Sequence, residues 1–519
     1  MDDPIELEVW RHLLTALTEE MGAVLMRSAF SPNIKERRDF SCALFDARGE
    51  MVAHAAHIPV HLGSTPLSVP AVLETLDLKE GDVALLNDPY QGGTHLPDLT
   101  MVRPVHQGGR LLGYVVNRAH HADVGGKAAG SMPIATHIDE EGVRIPPTRI
   151  VEAGRRLDAV LEDCLYRHVR TPEERRGDID AQLAACEVGA RRLVHLATHY
   201  GPETLEAACA GLHAHAERAM RAVIAALPDG LYEAQDLLDD DGLGHLDLRV
   251  AVSIRVEGDH LSVDFTGTAP QCAGPVNAVR AIAVSATLYV LRCLAPEEVP
   301  ASSGLLRPVD IVTPSGTLVD ARPPAPVAAG NVETSQRLVD VLFAALAKAC
   351  PDRIPAASQG TMNNVAMGGR WRGQPWAYYE TLAGGTGGGP GFHGTAAIHS
   401  HMTNTLNTPV EALEHAYPLR IEWLRVRRGS GGAGRYHGGD GMSRAWRFLE
   451  EAELTLITER RRHRPPGLAG GQAAAPGRNR LIHRDGEGEA LPGKCTRRVR
   501  AGDLLVVDTP GGGGWGKPE

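Results

Sequence analysis

Two short stretches carry the densest chemistry in this chain: Asn87-Asp88-Pro89-Tyr90-Gln91-Gly92-Gly93-Thr94-His95-Leu96-Pro97-Asp98 and Asn117-Arg118-Ala119-His120-His121-Ala122-Asp123. Histidines and carboxylates set in glycine- and proline-bearing turns supply the nitrogen and oxygen donors that zinc, manganese or iron take. Such a centre needs neutral imidazoles and ionised carboxylates, because a protonated ligand has no lone pair to donate. His95 and Asp98 are three residues apart across a Leu-Pro turn, and His120 arrives from further along. A two-histidine, one-carboxylate site is one reading of this spacing; polar residues in an ordinary turn is the other. There is no HExxH, so a helical zinc-protease site is not implied. Asp39, after Lys35-Glu36-Arg37-Arg38, is either a fourth ligand or the salt-bridged start of a strand. His121 and Asp123 adjoin a candidate ligand, which suits orienting it or moving a proton better than ligation. His54, His57 and His61 form a further cluster; singly each reads as a structural histidine, with one of them lining the active cleft as the alternative.

These residues need elements to position them. Asp3 can cap a helix with Pro4 at its first position, and Ile5, Val9, Leu13, Leu17, Met21, Val24 and Leu25 recur at helical spacing to near Ser28. Two strands are predicted over 39–54 around an Asp-Ala-Arg-Gly turn. A hairpin is expected where 99–105 and 111–117 flank His106-Gln107-Gly108-Gly109, which would bring Asp98 and His120 together at its open end. From 171 to 227 the pattern is helical, broken at Tyr200-Gly201-Pro202, with Asp178, Asp180, Arg191 and Arg192 on polar faces. Alternation over 245–268 predicts a β-hairpin, 278–294 a buried helix, and 332–350 a second buried helix capped by Asn331. Beyond Tyr417, short strands broken by Gly-Gly turns predict a β-rich layer. The fold class expected is α+β, with an N-terminal metal-binding region (1–230) that includes the helical hairpin, a central α/β region (231–416) and a C-terminal β-rich region (417–519).

At 519 residues the chain exceeds the size at which one core keeps growing, and 58 glycines with 35 prolines favour tight turns. A formal charge of −11 excludes general attraction to nucleic acid or anionic lipid. The local exception, Glu459-Arg460-Arg461-Arg462-His463-Arg464, reads as a solvated or interface turn with salt bridges. Eight cysteines without a CxxC pair read as reduced thiols of a cytoplasmic protein. The acidic opening Met1-Asp2-Asp3-Pro4 lacks the features of a signal peptide, and no apolar run is long enough for a membrane span. Gly384-Gly385-Thr386-Gly387-Gly388-Gly389 lacks the GxxxxGK[ST] order and reads as a turn and not a phosphate loop; no nucleotide or serine-nucleophile motif is present.

Ile34-Lys35-Glu36-Arg37-Arg38-Asp39-Phe40-Ser41, the two stretches above, Gly330-Asn331-Val332-Glu333-Thr334-Ser335-Gln336-Arg337 and His399-Ser400-His401-Met402-Thr403-Asn404-Thr405 together resemble the B-type family of ATP-dependent hydantoinase and 5-oxoprolinase subunits. That family also includes subunits of acetone and acetophenone carboxylases and of a caprolactam-hydrolysing enzyme. The resemblance spans nearly the whole chain; it departs at Ala383-Gly384-Gly385-Thr386-Gly387-Gly388-Gly389, where the family usually shows Gly-Gly-Gly-Met-Gly-Ala-like text.

The resemblance implies a division of labour. A separate A-type ATPase subunit phosphorylates the amide oxygen of a hydantoin, 5-oxoproline or related lactam, and a B-type subunit in the same hetero-oligomer receives it at a divalent metal centre, zinc or manganese. Residue by residue, Asp39, His95, Asp98 and His120 fall on the family's metal positions; proton transfer by His121 or Asp123 is expected only from their adjacency to His120. ATP is used by the partner and not bound here. Phosphorylation removes amide resonance and provides a leaving group, and a divalent ion would generate the nucleophile from water. The rival activities are a ketone carboxylase subunit, separated by bicarbonate dependence, and a non-catalytic scaffold for the ATPase.

Overall fold

The computed structural model describes residues 3–55 and 57–518; Met1, Asp2 and Ala56, the first two quoted above, lie outside the described residues, as does Glu519. Four sheets organise the chain. The first contains β1 (Phe40–Asp46), β2 (Met51–His54), β3 (Val83–Leu86), β4 (Asp98–Gln107), β5 (Arg110–His120), β6 (Thr148–Glu152) and β7 (Arg155–Arg156), in the order β2-β1-β5-β4-β3-β6-β7. The second is β11-β10-β9-β8, built from β8 (Gly230–Asp240), β9 (Leu246–Glu257), β10 (His260–Asp264) and β11 (Val309–Val312). Two C-terminal sheets follow. One is β13-β12-β16-β19, from β12 (Asn364–Trp371), β13 (Gln374–Glu380), β16 (Ala452–Ile457) and β19 (Lys494–Val499). The other is β14-β15-β20-β17-β18, from β14 (Leu419–Arg427), β15 (Gly441–Phe448), β17 (Arg478–Ile482), β18 (Gly488–Leu491) and β20 (Leu504–Asp508). The fold class is mixed α/β with several sheets, as expected. The third sheet pairs β12 with β16, so it draws strands from both sides of the expected boundary at 417.

Helix α1 (Pro4–Ser28) starts where Asp3 accepts a hydrogen bond from the Ile5 amide and packs Leu14, Leu17, Met21 and Leu25 into the core. After the short α2 (Pro32–Lys35) comes α3 (Pro59–Thr75), a helix the sequence pattern does not announce because Pro66 and Pro70 stand inside it. A Cβ at Gly63 would lie 2.6 Å from Ser285 Cα, so the glycine permits the close crossing of α3 with α7 (Arg280–Leu294). In between, α4 (Asp158–Cys164) precedes the helical hairpin of α5 (Pro172–Tyr200) and α6 (Pro202–Ala225), broken at Gly201 as expected. Asp178, expected on the polar face, is instead buried: it accepts the Phe30 and Ser31 amides and pairs with Arg175 at 3.0 Å.

One further expectation is corrected. Asn331 does not cap a helix; it lies inside a π-helical turn, Gly330–Thr334, that leads into α8 (Ser335–Leu346). The arginine-rich turn takes the interface alternative, with salt bridges: Glu459 and Arg460 are buried and tie the C-terminal region to Arg337 and Asp340, with Lys494 pairing Glu459 within that region. The glycine run at 384–389 behaves as a packed turn, with the amides of Gly384, Gly385, Thr386, Gly388 and Gly389 all donating to backbone carbonyls. Those amides are not free to cradle an anion.

Candidate metal centre

The open end of the β4–β5 hairpin places Asp98 directly opposite His120 in the antiparallel register. Ahead of Asp98, the turn that carries His95 is fixed by a buried asparagine. Asn87 donates from Nδ2 to the carbonyls of Leu96 (2.7 Å) and Val143 (3.0 Å) and accepts the Ile145 amide at Oδ1 (2.6 Å). Gly93 is required there, because a Cβ would come within 2.3 Å of the Asn87 carbonyl oxygen. Pro97 closes the turn by accepting the His121 amide at 2.8 Å.

Asp98 Oδ1 lies 3.0 Å from His95 Nε2 and 3.2 Å from His120 Nδ1. The ligand atoms of these three buried residues all lie within 4.8 Å of one another. Oδ2 of the same carboxylate accepts the Thr94 hydroxyl at 3.0 Å and faces His61 Nε2 at 3.3 Å, while His61 Nδ1 meets Ser41 Oγ at 2.9 Å. Asn331 Nδ2 stands 3.1 Å from His95 Nε2 and 3.5 Å from Asp98 Oδ2. Burial alone would raise the Asp98 carboxyl, but the neighbouring His95 and His61 and the hydrogen bonds from His120 and His61 hold it well below the usual carboxylate range. Burial lowers His120 against the opposing pull of Asp98 and Asp39, which favours the neutral imidazole, the form that ligates.

The donor set fits a divalent cation. His95 Nδ1 donates to the Ala328 carbonyl at 3.2 Å, which in a neutral ring leaves a lone pair on Nε2 facing the carboxylate oxygen. The space between Nε2 and the carboxylate oxygen takes either a ring proton, in an imidazolium, or a shared cation, and the Asn331 amide at 3.1 Å is the other donor within reach of Nε2. Among the described residues, the buried His120 Nε2 and Asn331 Oδ1 have no hydrogen-bond partner, adding unsatisfied donors of electron pairs to the same place. One carboxylate and two imidazoles match zinc or manganese chemistry. The cavity that Asp39, His61, Asp98, His120 and Asn331 line measures about 20 Å³, enough for one water or ion.

The predicted residues divide here. His95, Asp98 and His120 come together. Asp39 reaches the same cavity wall, with its carboxylate 3.6 Å from the buried Arg37 guanidinium. Arg37 in turn bonds the Tyr379 carbonyl and Thr381 hydroxyl, and the Tyr379 ring stacks on His120 with centroids 4.7 Å apart. His121 and Asp123 are not brought into the cluster. His121 Nε2 meets Gln182 Oε1 of α5 at 2.9 Å, and Asp123 pairs with Arg170 at 2.8 Å while accepting the Gly125 and Arg170 amides. Of the upstream histidines, His61 is the one that reaches Asp98. Sequence reasoning misses two members of the site. Asn331 has the local pattern of a helix cap, and Thr94 is an unremarkable turn residue until the fold points its hydroxyl at Asp98. The π-helical insertion that aims Asn331 inward has no sequence signal beyond its Gly-Asn pair.

Comparison with known proteins settles the family. The hydantoinase B/oxoprolinase family model matches residues 3–518.

The chain belongs to the hydantoinase B/oxoprolinase family.

An uncharacterized protein of Methanocaldococcus jannaschii is 40% identical over 99% of this chain and 91% of its own length. The B component of a putative D-/L-hydantoinase from a Pseudomonas species is 33% identical over 99% of this chain and 90% of its own length. The 5-oxoprolinase of Dictyostelium discoideum is 38% identical over 100% of this chain, which spans only 40% of that enzyme. Among solved structures, the ATP-dependent caprolactamase of Pseudomonas jessenii superimposes with a TM-score of 0.91 at 30% identity, over 99% of this chain and 91% of that one.

Proposed function

We propose that this hydantoinase B/oxoprolinase chain is the metal-dependent hydrolytic subunit of an ATP-dependent cyclic amidase, acting on a hydantoin, 5-oxoproline or related lactam activated by an A-type ATPase partner. The observation that carries the reading is the buried His95-Asp98-His120 cluster, in which a lone pair of His95 faces a carboxylate oxygen. The names of relatives support the substrate class and the two-subunit arrangement: the B component of a hydantoinase, 5-oxoprolinases and an ATP-dependent caprolactamase.

When bound, a zinc or manganese ion supplies Lewis acidity and lowers the pKa of water. The chain's own residues do the rest. His95, Asp98 and His120 would hold the ion, with Asp39 as a further ligand once its carboxylate leaves Arg37. Thr94 and His61 fix the second oxygen of Asp98, and Ala328 fixes the ring plane of His95. Asn331 lies on the same wall with an amide oxygen free to accept a hydrogen bond from substrate or water. Burial beneath Tyr379, Val332 and Met402 excludes bulk water, which protects a reactive phosphorylated amide from loss. A lactam ring does not fit about 20 Å³, so turnover requires the wall to open; Met362 and Met402 are its unbranched, adaptable members. His121 and Asp123 are assigned to holding α5 and the following loop and not to proton transfer.

The test is metal content by plasma mass spectrometry and ATP-dependent lactam hydrolysis after co-expression with an A-type subunit, for the wild type and His95→Ala/His120→Ala. The reading expects zinc or manganese and turnover to be lost together in the variant. Turnover persisting in a folded variant overturns it, and bicarbonate dependence would move the assignment to a carboxylase.

A further inference from the structure

Away from the β4–β5 cluster, a second set of metal-type donors converges from three places in the fold. Asp46 ends β1, Glu50 stands at the end of the turn into β2, and His213 projects from α6; one ligand atom from each lies within 4.8 Å of the others. His213 is 2% exposed, yet among the described residues neither of its ring nitrogens has a hydrogen-bond partner, and its Nε2 stops 3.5 Å short of Asp46 Oδ2. A buried imidazole with two unsatisfied nitrogens is costly unless something binds there. Asp46 is prepared on its other side: Oδ1 accepts the Arg48 and Glu50 amides at 2.9 Å each, leaving Oδ2 turned to the histidine. All three residues line one cavity of about 190 Å³, which has room for an ion with waters.

We propose that Asp46, Glu50 and His213 form a second divalent-cation site, structural in role, which clamps the β1–β2 hairpin to α6. One imidazole and two carboxylates suit zinc or manganese. Glu50 is shared with Arg307 at 3.1 Å, but both side chains are more than a third exposed, and such a pair gives little to displace. Cys209, one turn earlier on α6, lines the same cavity; burial pushes its thiol up to about 12, so it is not counted as a donor. The site is remote from the first. Phe40 pairs with Ala119 beside His120, whereas Asp46 is six residues further along β1, roughly 20 Å away at the rise of a strand. The two sites can therefore be emptied independently.

The experiment is equilibrium dialysis of the full chain against zinc or manganese, with bound metal counted for the wild type, His213→Gln, Asp46→Asn and His95→Ala/His120→Ala, and thermal unfolding recorded with and without metal. The expected result is that His213→Gln and Asp46→Asn each bind one equivalent fewer than the wild type. The rise in Tm produced by metal should survive in His95→Ala/His120→Ala and shrink in the other two. Asp46→Asn keeps the side-chain volume and carries the test if His213→Gln does not fold. Unchanged metal equivalents in folded Asp46→Asn or His213→Gln overturn the proposal and leave an ordinary histidine-aspartate contact. Loss of metal only in His95→Ala/His120→Ala overturns it in the same way.

Discussion

His61 gives the sharpest test of how the centre is held, because it touches the ligand carboxylate from the side away from His95 and His120. Its Nδ1 meets the Ser41 hydroxyl and its Nε2 meets Asp98 Oδ2 at 3.3 Å, so in a neutral ring Nε2 carries the proton and Nδ1 accepts from Ser41. Removing it as His61→Ala leaves Oδ2 with the Thr94 hydroxyl at 3.0 Å and the more distant Asn331 amide. A hydrogen bond to a charged group contributes about 1.5 to 3 kcal/mol, and the long 3.3 Å contact puts this one at the lower end. About 1.5 kcal/mol corresponds to a roughly tenfold weaker metal affinity, within the ~10–100-fold range of residues that orient ligands without ligating. His61→Gln retains an N–H donor and should recover most of the loss. The assay is competition for zinc or manganese against a metallochromic chelator near neutral pH, in a His213→Gln background so that one site titrates, with circular dichroism confirming the fold. Wild-type affinity in His61→Ala, or equal losses in the Ala and Gln variants, would refute the orienting role. A loss far beyond ~100-fold would make His61 a ligand in its own right.

Three further outcomes follow from the geometry. Gly330→Ala puts a Cβ 1.8 Å from the Asn277 carbonyl oxygen, so the π-helical turn must shift and carry Asn331 away from His95; metal affinity should fall by about tenfold, measured by the same competition. His121, whose burial lowers its pKa to about 4 from an ordinary 6.5, contributes stability present above pH 6.5 and lost as pH falls toward 4, because the unfolded chain then binds the extra proton; the drop amounts to about 3 kcal/mol. His121→Gln should flatten the dependence of the urea midpoint on pH over that window while leaving bound metal and turnover intact, and a large loss of turnover with metal retained would restore the proton-transfer role. Lys494→Met removes the ammonium from the fully buried Glu459, leaving Arg337 at 3.2 Å as its remaining cationic partner, and should cost about 3 kcal/mol in denaturant unfolding; an unchanged midpoint would mean that the network is neutral to stability.

What the sequence disclosed and what it withheld have different physical origins. The β4–β5 hairpin was legible because alternation and a Gln-Gly-Gly turn are local signals, and with the register fixed, Asp98 had to meet His120. Helix α5 and its break from α6 were legible for the same reason, through helical spacing and a Gly-Pro stop. His95 stood out by its three-residue spacing to Asp98, which left a metal site and an ordinary turn both open; the ligand role came from the family resemblance. Helix α3 was not legible, since Pro66 and Pro70 mark it as broken; the fold holds it instead through Arg118, whose guanidinium bonds Ser64, Ser68 and Thr100 and thereby fixes the helix that carries His61. No periodicity in the sequence reports a bond between residues 54 apart in the chain.

The misplaced charges teach the same point from the other direction. Asp178, Glu459 and Arg460 have the composition of a solvated face, and propensity alone sends them outward. Each is buried because a partner meets it in the interior: Arg175 and the Phe30 amide at Asp178, Lys494 and Arg337 at Glu459, Asp236 and Asp340 at Arg460. Leaving any of these ions unpaired in the interior would cost several kcal/mol, so the segments are obliged to dock in one arrangement. Arg337 and Asp340 lie one turn apart on α8, which continues the π-helical turn that carries Asn331, and Arg460 pairs with Asp340 on that face. The buried ions thereby link the C-terminal sheets to the helix that follows Asn331, on the wall of the candidate metal cluster.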